Sequence, residues 1–157
     1  MSARKAAIVT GSATGVGAAT ALALARRGYD VLINYSRSEA EAKQSQAACR
    51  DAGADTLLLR GDVAVDPDCR QLAHAAMDRW KRIDALVNNA GITSFDGAAN
   101  WEALDAATFQ HIVGVNAVGT FQMVWLVEGA RTVTGELVML DSGIHLGGFP
   151  VSARAKS

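Results

Sequence analysis

A chain of 157 residues and 16.4 kDa has room for one domain, and folding at that length buries about 68–70% of the surface an unfolded chain exposes, enough for a real core. Half of the residues are apolar and a fifth charged, with a net charge of -1; this excludes a disordered or fibrous chain and gives no basic footprint for nucleic acid. No apolar run approaches the roughly 20 residues of a membrane span. Met1-Ser-Ala-Arg-Lys5 leads into a strand-like run rather than a secretory signal, and Cys49 and Cys69 have neither metal-ligand nor redox-pair spacing. Free thiols in a cytoplasmic protein are expected.

The first apolar run, Ala6-Ala-Ile-Val9, leads directly into Thr10-Gly11-Ser12-Ala13-Thr14-Gly15-Val16-Gly17, after which Ala18 to Arg27 reads as a helix closed by Gly28. Strand, glycine turn and helix together suit an anion. Glycines permit a tight turn and close approach of backbone to a pyrophosphate, while the free N–H groups and dipole of the helix start attract its charge. The loop that binds ATP or GTP needs Gly-Lys five residues after its first glycine, and that position past Gly11 is Val16. A dinucleotide is therefore expected, with Gly11, Ser12, Thr14, Gly15, Val16 and Gly17 as candidate contacts. The same glycines also suit a purely structural turn.

The second run, Val31-Leu-Ile33, ends at Asn34-Tyr35-Ser36-Arg37-Ser38. About 20 residues past the glycine turn, an NAD-binding domain places an acid on the ribose 2′-hydroxyl. No carboxylate lies there, and Asp30 is at the wrong end of the strand. Arg37 with flanking hydroxyls suits a 2′-phosphate, which a guanidinium engages through forked, charge-assisted hydrogen bonds. NADP is therefore expected ahead of NAD, contacted by Tyr35, Ser36, Arg37 and Ser38. Ser38 and Glu41 form a capping box that predicts a second helix.

The third run, Thr56-Leu-Leu-Leu59, precedes Asp62-Val63 and Asp66-Pro67, an expected N-cap with proline at the first helical position. Leu72, Ala73, Ala76, Met77 and Trp80 recur at helical spacing and predict a face against a sheet. Ala85-Leu-Val87 and Leu137-Val-Met-Leu140 complete the series. Strands of nearly continuous apolar character alternating with helices predict an α/β fold, a Rossmann-like doubly wound parallel sheet with helices on both faces. With no repeat or linker, one dinucleotide-binding domain over 1–157 is expected.

The spacing Thr-Gly-x-x-x-Gly-x-Gly at Thr10 to Gly17, together with Asn88-Asn89-Ala90-Gly91 after the fourth run, resembles the short-chain dehydrogenase/reductase family over essentially the whole chain. The resemblance implies that Asn89, Ala90 and Gly91 stand beside the cofactor and that Asp62-Val63 is an adenine-contacting pair. It also implies that Asn116, in Val115-Asn116-Ala-Val-Gly119, organises a catalytic water. The implied activity is hydride transfer between NADP(H) and a small carbonyl or alcohol substrate, with no nucleic-acid or membrane partner and with a homo-oligomer expected.

The family's chemistry uses a Ser, a Tyr, and a Lys four residues after the Tyr. Gly135 to Ser142 resembles the fifth strand leading to that Ser, so Ser142 takes its role; Lys156 matches the Lys, which also binds the cofactor ribose. Four residues before Lys156 stands Ser152 rather than Tyr. An alkyl hydroxyl is far too weak an acid to replace a phenol with a reference pKa of about 10. Tyr29 and Tyr35 both lie near the second strand and neither is placed for catalysis, His145 is a poor substitute, and His74 and His111 lie in separate helical segments without a metal-ligand cluster. The chain also stops where the family's next helix would begin, so the last two strands and the substrate loop are expected to be lacking, with an open sheet edge inviting association. Two functions follow: an NADP-dependent oxidoreductase with little activity in this chain, or a catalytically silent dinucleotide-binding or interaction protein on the same scaffold. A methyltransferase on a similar sheet is disfavoured by the acid-free end of the second strand.

Overall fold

The computed structural model describes residues 4–94, 105–129 and 137–139. β1 (Lys5–Val9), α1 (Gly15–Arg26), β2 (Tyr29–Tyr35), α2 (Glu39–Asp51), β3 (Thr56–Arg60), α3 (Asp66–Trp80) and β4 (Ala85–Asn88) alternate along the chain. They are followed by α4 (Ala106–Val113), a π-helical turn (Gly114–Gly119), α5 (Thr120–Gly129) and β5 (Leu137–Met139). The strands form one parallel sheet in the order β3-β2-β1-β4-β5. This is the doubly wound α/β arrangement expected from the alternation, and each apolar run falls in a strand; Leu140, at the end of the fifth run, lies outside the described residues.

Successive strand residues point to opposite faces of a sheet, which accounts for two cores. Ile8 and Leu32 pack with Leu72 and Ala76 of α3 and with Met123 and Val127 of α5. Val9, Val31 and Ile33 face the other way, onto Ala21 and Ala25 of α1 and Ala42 and Cys49 of α2. Each large aliphatic side chain so buried contributes about 1.5–3 kcal/mol relative to exposure. Leu72, Ala73 and Ala76 are buried as the helical spacing predicts, with Met77 and Trp80 packed partly buried beside them. Cys49 and Cys69 are both free and buried. Burial pushes the Cys49 thiol up, and burial with the nearby Asp66, Asp68 and Asp62 carboxylates pushes Cys69 up to about 11, so both behave as small core groups.

Two helix starts differ from expectation. Ser38 precedes α2, but it makes no side-chain cap bond. Its φ of -86° and ψ of 66° depart from the extended geometry that aims an N-cap oxygen at the first-turn N–H groups, so the Ser38–Glu41 box does not form. Glu39 instead pairs with Lys43 at 2.7 Å. α3 begins one residue early, with Val65 at the cap and Pro67 in the first turn. Asp66 turns to Arg70, whose Nε lies 2.6 Å from its Oδ2.

β1 lies between β2 and β4, so the chain leaves it toward one edge and later returns to its other side. The crevice at the carboxyl ends of β1 and β4 is the topological switch point, where open α/β sheets bind ligands. The glycine turn leaves β1 into it.

Candidate dinucleotide-binding site

Three strand ends are tied together around the glycine turn. Thr10 donates its N–H to the Val87 carbonyl at 3.0 Å, and its Oγ1 accepts the N–H groups of Asn89 and Ala90, each at 3.0 Å. The Asn89 amide donates to the carbonyls of Thr10 and Gly11 at 3.0 and 2.9 Å. On the other side, Asn34 is only 2% exposed; its Oδ1 accepts the Gly11 N–H at 3.1 Å and its Nδ2 donates to the Gly61 carbonyl at 3.0 Å. Ser12 donates its hydroxyl to Val9 at 2.7 Å, accepts the Asn34 N–H at 3.0 Å, and donates its own N–H to the Asn34 carbonyl at 2.9 Å.

The glycines serve distinct ends. Gly11 has φ of +61°, and a Cβ on it would lie 2.8 Å from the Ala90 Cα. A Cβ on Gly17 would collide with the Gly11 carbonyl oxygen and approach Asn89 Nδ2 to 2.5 Å. That is close packing of the helix start on the turn, one of the established uses of glycine in such motifs. Gly15, with φ of +57°, faces open space. Thr14, Gly15 and Val16 are exposed where α1 starts, with no side-chain cap and no acid in its first turn. The first N–H groups of a helix have no partner within it, so this end suits the pyrophosphate of a dinucleotide.

From the turn, a cleft runs past Asn34, Ser36 and Arg37 to Gly61, Asp62 and Val63, and on its other side past Ala90, Gly91, Ile92, His111 and Val115. The fold thus brings together Gly11, Ser36, Arg37, Asp62, Val63, Ala90 and Gly91 from four separate segments, one after each of β1 to β4. Ser36, Arg37 and Ser38 are exposed, and among the described residues Arg37 makes no ion pair. No acid stands at the end of β2, and Asp30 at its start is engaged by Arg4 Nε at 2.8 Å and the Asp55 N–H at 2.9 Å. The residues present fit the ribose and phosphates of a dinucleotide.

Several of the expected contacts also have partners within the protein. Ser12 is buried with its hydroxyl committed inside, the Asn89 amide braces the turn, and Val63 is a core residue at 4% exposure. Tyr35 is half-buried, its carbonyl accepting the Gly61 N–H at 2.9 Å. Asp62 Oδ1 accepts the Ala64 N–H at 3.0 Å, and its own N–H goes to Asp68 Oδ2 at 2.8 Å. Thr10, Asn34 and Gly61 join the site without being candidates from the sequence, and His111, a lone helical histidine in the sequence, lines the cleft. Thr10 and Asn34 stood inside the quoted motifs, but their partners lie on other strands.

Asn116 sits in the π-helical turn, an irregularity that recurs at functional sites. It exchanges two hydrogen bonds with Ile92, just beyond the Asn-Asn-Ala-Gly segment. Gly119 closes the turn against β3's continuation, where a Cβ would lie 2.7 Å from the Val63 carbonyl oxygen. Ser142 and Lys156, with Ser152 and His145, lie outside the described residues. Among the described residues no three His, Cys, Asp or Glu side chains group to hold a metal, and no helix is long and apolar enough to cross a membrane.

The short chain dehydrogenase family model matches residues 5–153. The chain is 36% identical over 149 residues to a 3-oxoacyl-(acyl-carrier-protein) reductase of Synechocystis sp., covering 94% of this chain and 59% of that protein. It is 29% identical over 138 residues to versicolorin reductase 1 of Dothistroma septosporum, covering 88% and 51%. A doubly substituted short-chain dehydrogenase/reductase of Serratia marcescens superposes with a TM-score of 0.77 at 28% identity, covering 86% of this chain and 54% of the other. The protein belongs to the short-chain dehydrogenase family, whose members bind NAD(P)(H) and act as oxidoreductases on small molecules. It spans little more than half the length of these relatives.

Proposed function

We propose that this chain binds NADP(H) in preference to NAD(H) and serves an oxidoreductase that transfers hydride between that cofactor and a carbonyl or alcohol. One observation carries the reading: the end of β2 is free of acid and presents Arg37 and Ser36 on the cleft that begins at the glycine turn. Bound NADP(H) supplies the hydride chemistry through its nicotinamide. The protein's part is to hold it, with the pyrophosphate at the start of α1, the 2′-phosphate at Arg37, and the adenine beside Asp62 and Val63. The 3-oxoacyl and versicolorin reductases among its relatives make a carbonyl compound the substrate class to test first.

Ser142 and Lys156 take the substrate-holding and ribose-binding roles that their motif positions imply, and Asn116, bonded twice to Ile92, braces a wall of the cofactor cleft. Ser152 stands where the family has its proton-donating Tyr, so turnover by this chain is expected to be low. The two buried free thiols suit a reducing cytoplasm. A homo-oligomer has a surface ready for it: Phe121 and Trp125 are each 67% exposed on α5, with stacked rings 6.3 Å apart.

Fluorescence titration of the purified chain with NADPH and NADH tests the reading. Tighter NADPH binding, reversed by Arg37→Asp, is the expected outcome. Equal affinities, or an Arg37→Asp variant that keeps the original order, overturns the NADP assignment. NADPH oxidation with a panel of ketones and aldehydes then tests activity; turnover that is rapid and lost in Ser142→Ala overturns the expectation of a weak enzyme.

A further inference from the structure

Arg60 ends β3 in register with Tyr35 at the end of β2. Its Nε donates to the Ser36 carbonyl at 3.2 Å, which lays the guanidinium across the turn that carries Arg37. Arg60, Arg37 and Ser36 line one surface cavity, bounded below by Gly61, Asp62 and Asp68.

The acids nearby are turned to other partners. Asp68 accepts the Asp62 N–H, Asp62 accepts the Ala64 N–H, and Glu39 at the start of α2 is paired with Lys43. Four arginines, Arg4, Arg70, Arg79 and Arg82, are held in ion pairs. Among the described residues Arg37 and Arg60 are in none, although both are exposed on the same cavity.

A guanidinium that gives its Nε to the turn keeps four terminal N–H donors. Two such groups on one cavity form a receptor for a dianion, because each can make forked, charge-assisted bonds to a different pair of phosphate oxygens. We propose that Arg60 is a second specificity-determining residue of the 2′-phosphate subsite, acting with Arg37 to favour a 2′-phosphorylated ribose over a 2′-hydroxyl. This rests on the reading of Arg37 as the first partner of that phosphate.

Calorimetric titration of the chain with adenosine 2′,5′-bisphosphate and with 5′-AMP isolates the subsite from the nicotinamide half of the cofactor. Wild type, Arg60→Gln, Arg60→Lys and Arg37→Ala are compared, each checked for folding by circular dichroism. The expected result is that Arg60→Gln weakens the bisphosphate about tenfold while 5′-AMP binding holds, that Arg60→Lys recovers part of the loss, and that the salt dependence of bisphosphate binding becomes shallower in Arg60→Gln. Equal weakening of both nucleotides makes Arg60 only a brace for the Ser36 turn and overturns the proposal. Discrimination that survives Arg60→Gln but collapses in Arg37→Ala overturns it too, while sparing the Arg37 reading. A wild-type chain that binds both nucleotides equally removes both readings together.

Discussion

Asn116 and Ile92 are bound to each other twice: Asn116 Oδ1 accepts the Ile92 N–H and Asn116 Nδ2 donates to the Ile92 carbonyl, each at 2.9 Å. The side-chain amide imitates a strand partner and ties the π-helical turn to the segment leaving β4. Asn116→Asp puts a carboxylate oxygen against the Ile92 carbonyl, so it is expected to lower unfolding stability by about 1 kcal/mol and to speed amide exchange at Ile92. Unchanged protection of that amide by NMR would show that the pairing does not hold the wall.

The two later glycines of the turn are expected to fail differently. Gly17→Ala drives a methyl into the Gly11 carbonyl and the Asn89 amide, an overpacking worth about 1–3 kcal/mol, and the displaced turn loses dinucleotide affinity. Gly15→Ala meets no neighbour and costs only the left-handed backbone, about 1–2 kcal/mol. Urea unfolding with parallel NADPH titration checks this; greater loss of binding in Gly15→Ala than in Gly17→Ala would contradict it.

Asp84 carries a pH dependence. It is 6% exposed, accepts the Ala6 N–H at 2.8 Å, and is engaged by Arg82. Burial pushes its carboxyl up, but the Arg82 and Ala6 hydrogen bonds and the charge of Arg82 outweigh it and hold the group below its ordinary 3.8. A depressed folded value means the stabilisation is fully present above about pH 4 and disappears as pH falls through that lower value. Asp84→Asn should therefore be less stable than wild type at pH 6, with the gap closing toward pH 2. A gap in urea unfolding that stays constant across this range would remove the assignment.

Phe121 and Trp125 stack side by side on α5 while mostly exposed, an apolar pair whose burial an interface would reward. If a second copy covers it, Trp125→Glu shifts sedimentation from an oligomer toward monomer without lowering helical content. A wild-type chain that sediments as monomer at all concentrations tested would dispose of that partner.

The strands were legible because a sheet covered on both faces demands apolar residues at nearly every position, as in Ala6 to Val9 and Val31 to Ile33, and no other element of that length does. The glycine turn was legible for a similar reason: Gly11, Gly15 and Gly17 answer to backbone geometry and close approach, which are local. Ser38 shows where local reading failed, since its hydroxyl was matched to a cap by spacing alone while the backbone angles set by the end of β2 aim it elsewhere.

What the sequence by itself determined was the order of elements, the place of the glycine turn at the end of β1, the family, and the absence of an acid after β2. Only the tertiary structure decided which polar groups face the cleft. Ser12 was turned inward onto Val9 and Asn34; Asn34 became a buried link between Gly11 and Gly61; Arg60 was set beside Arg37, and Asn116 beside Ile92. The partners of Asn34 and Asn116 are more than 20 residues distant in sequence; the order β3-β2-β1 makes Gly11 and Gly61 neighbours of Asn34, and the π-helical turn beside the segment leaving β4 brings Asn116 to Ile92. A side chain's polarity is written locally, but the group that satisfies it is chosen by which strand ends the sheet brings together.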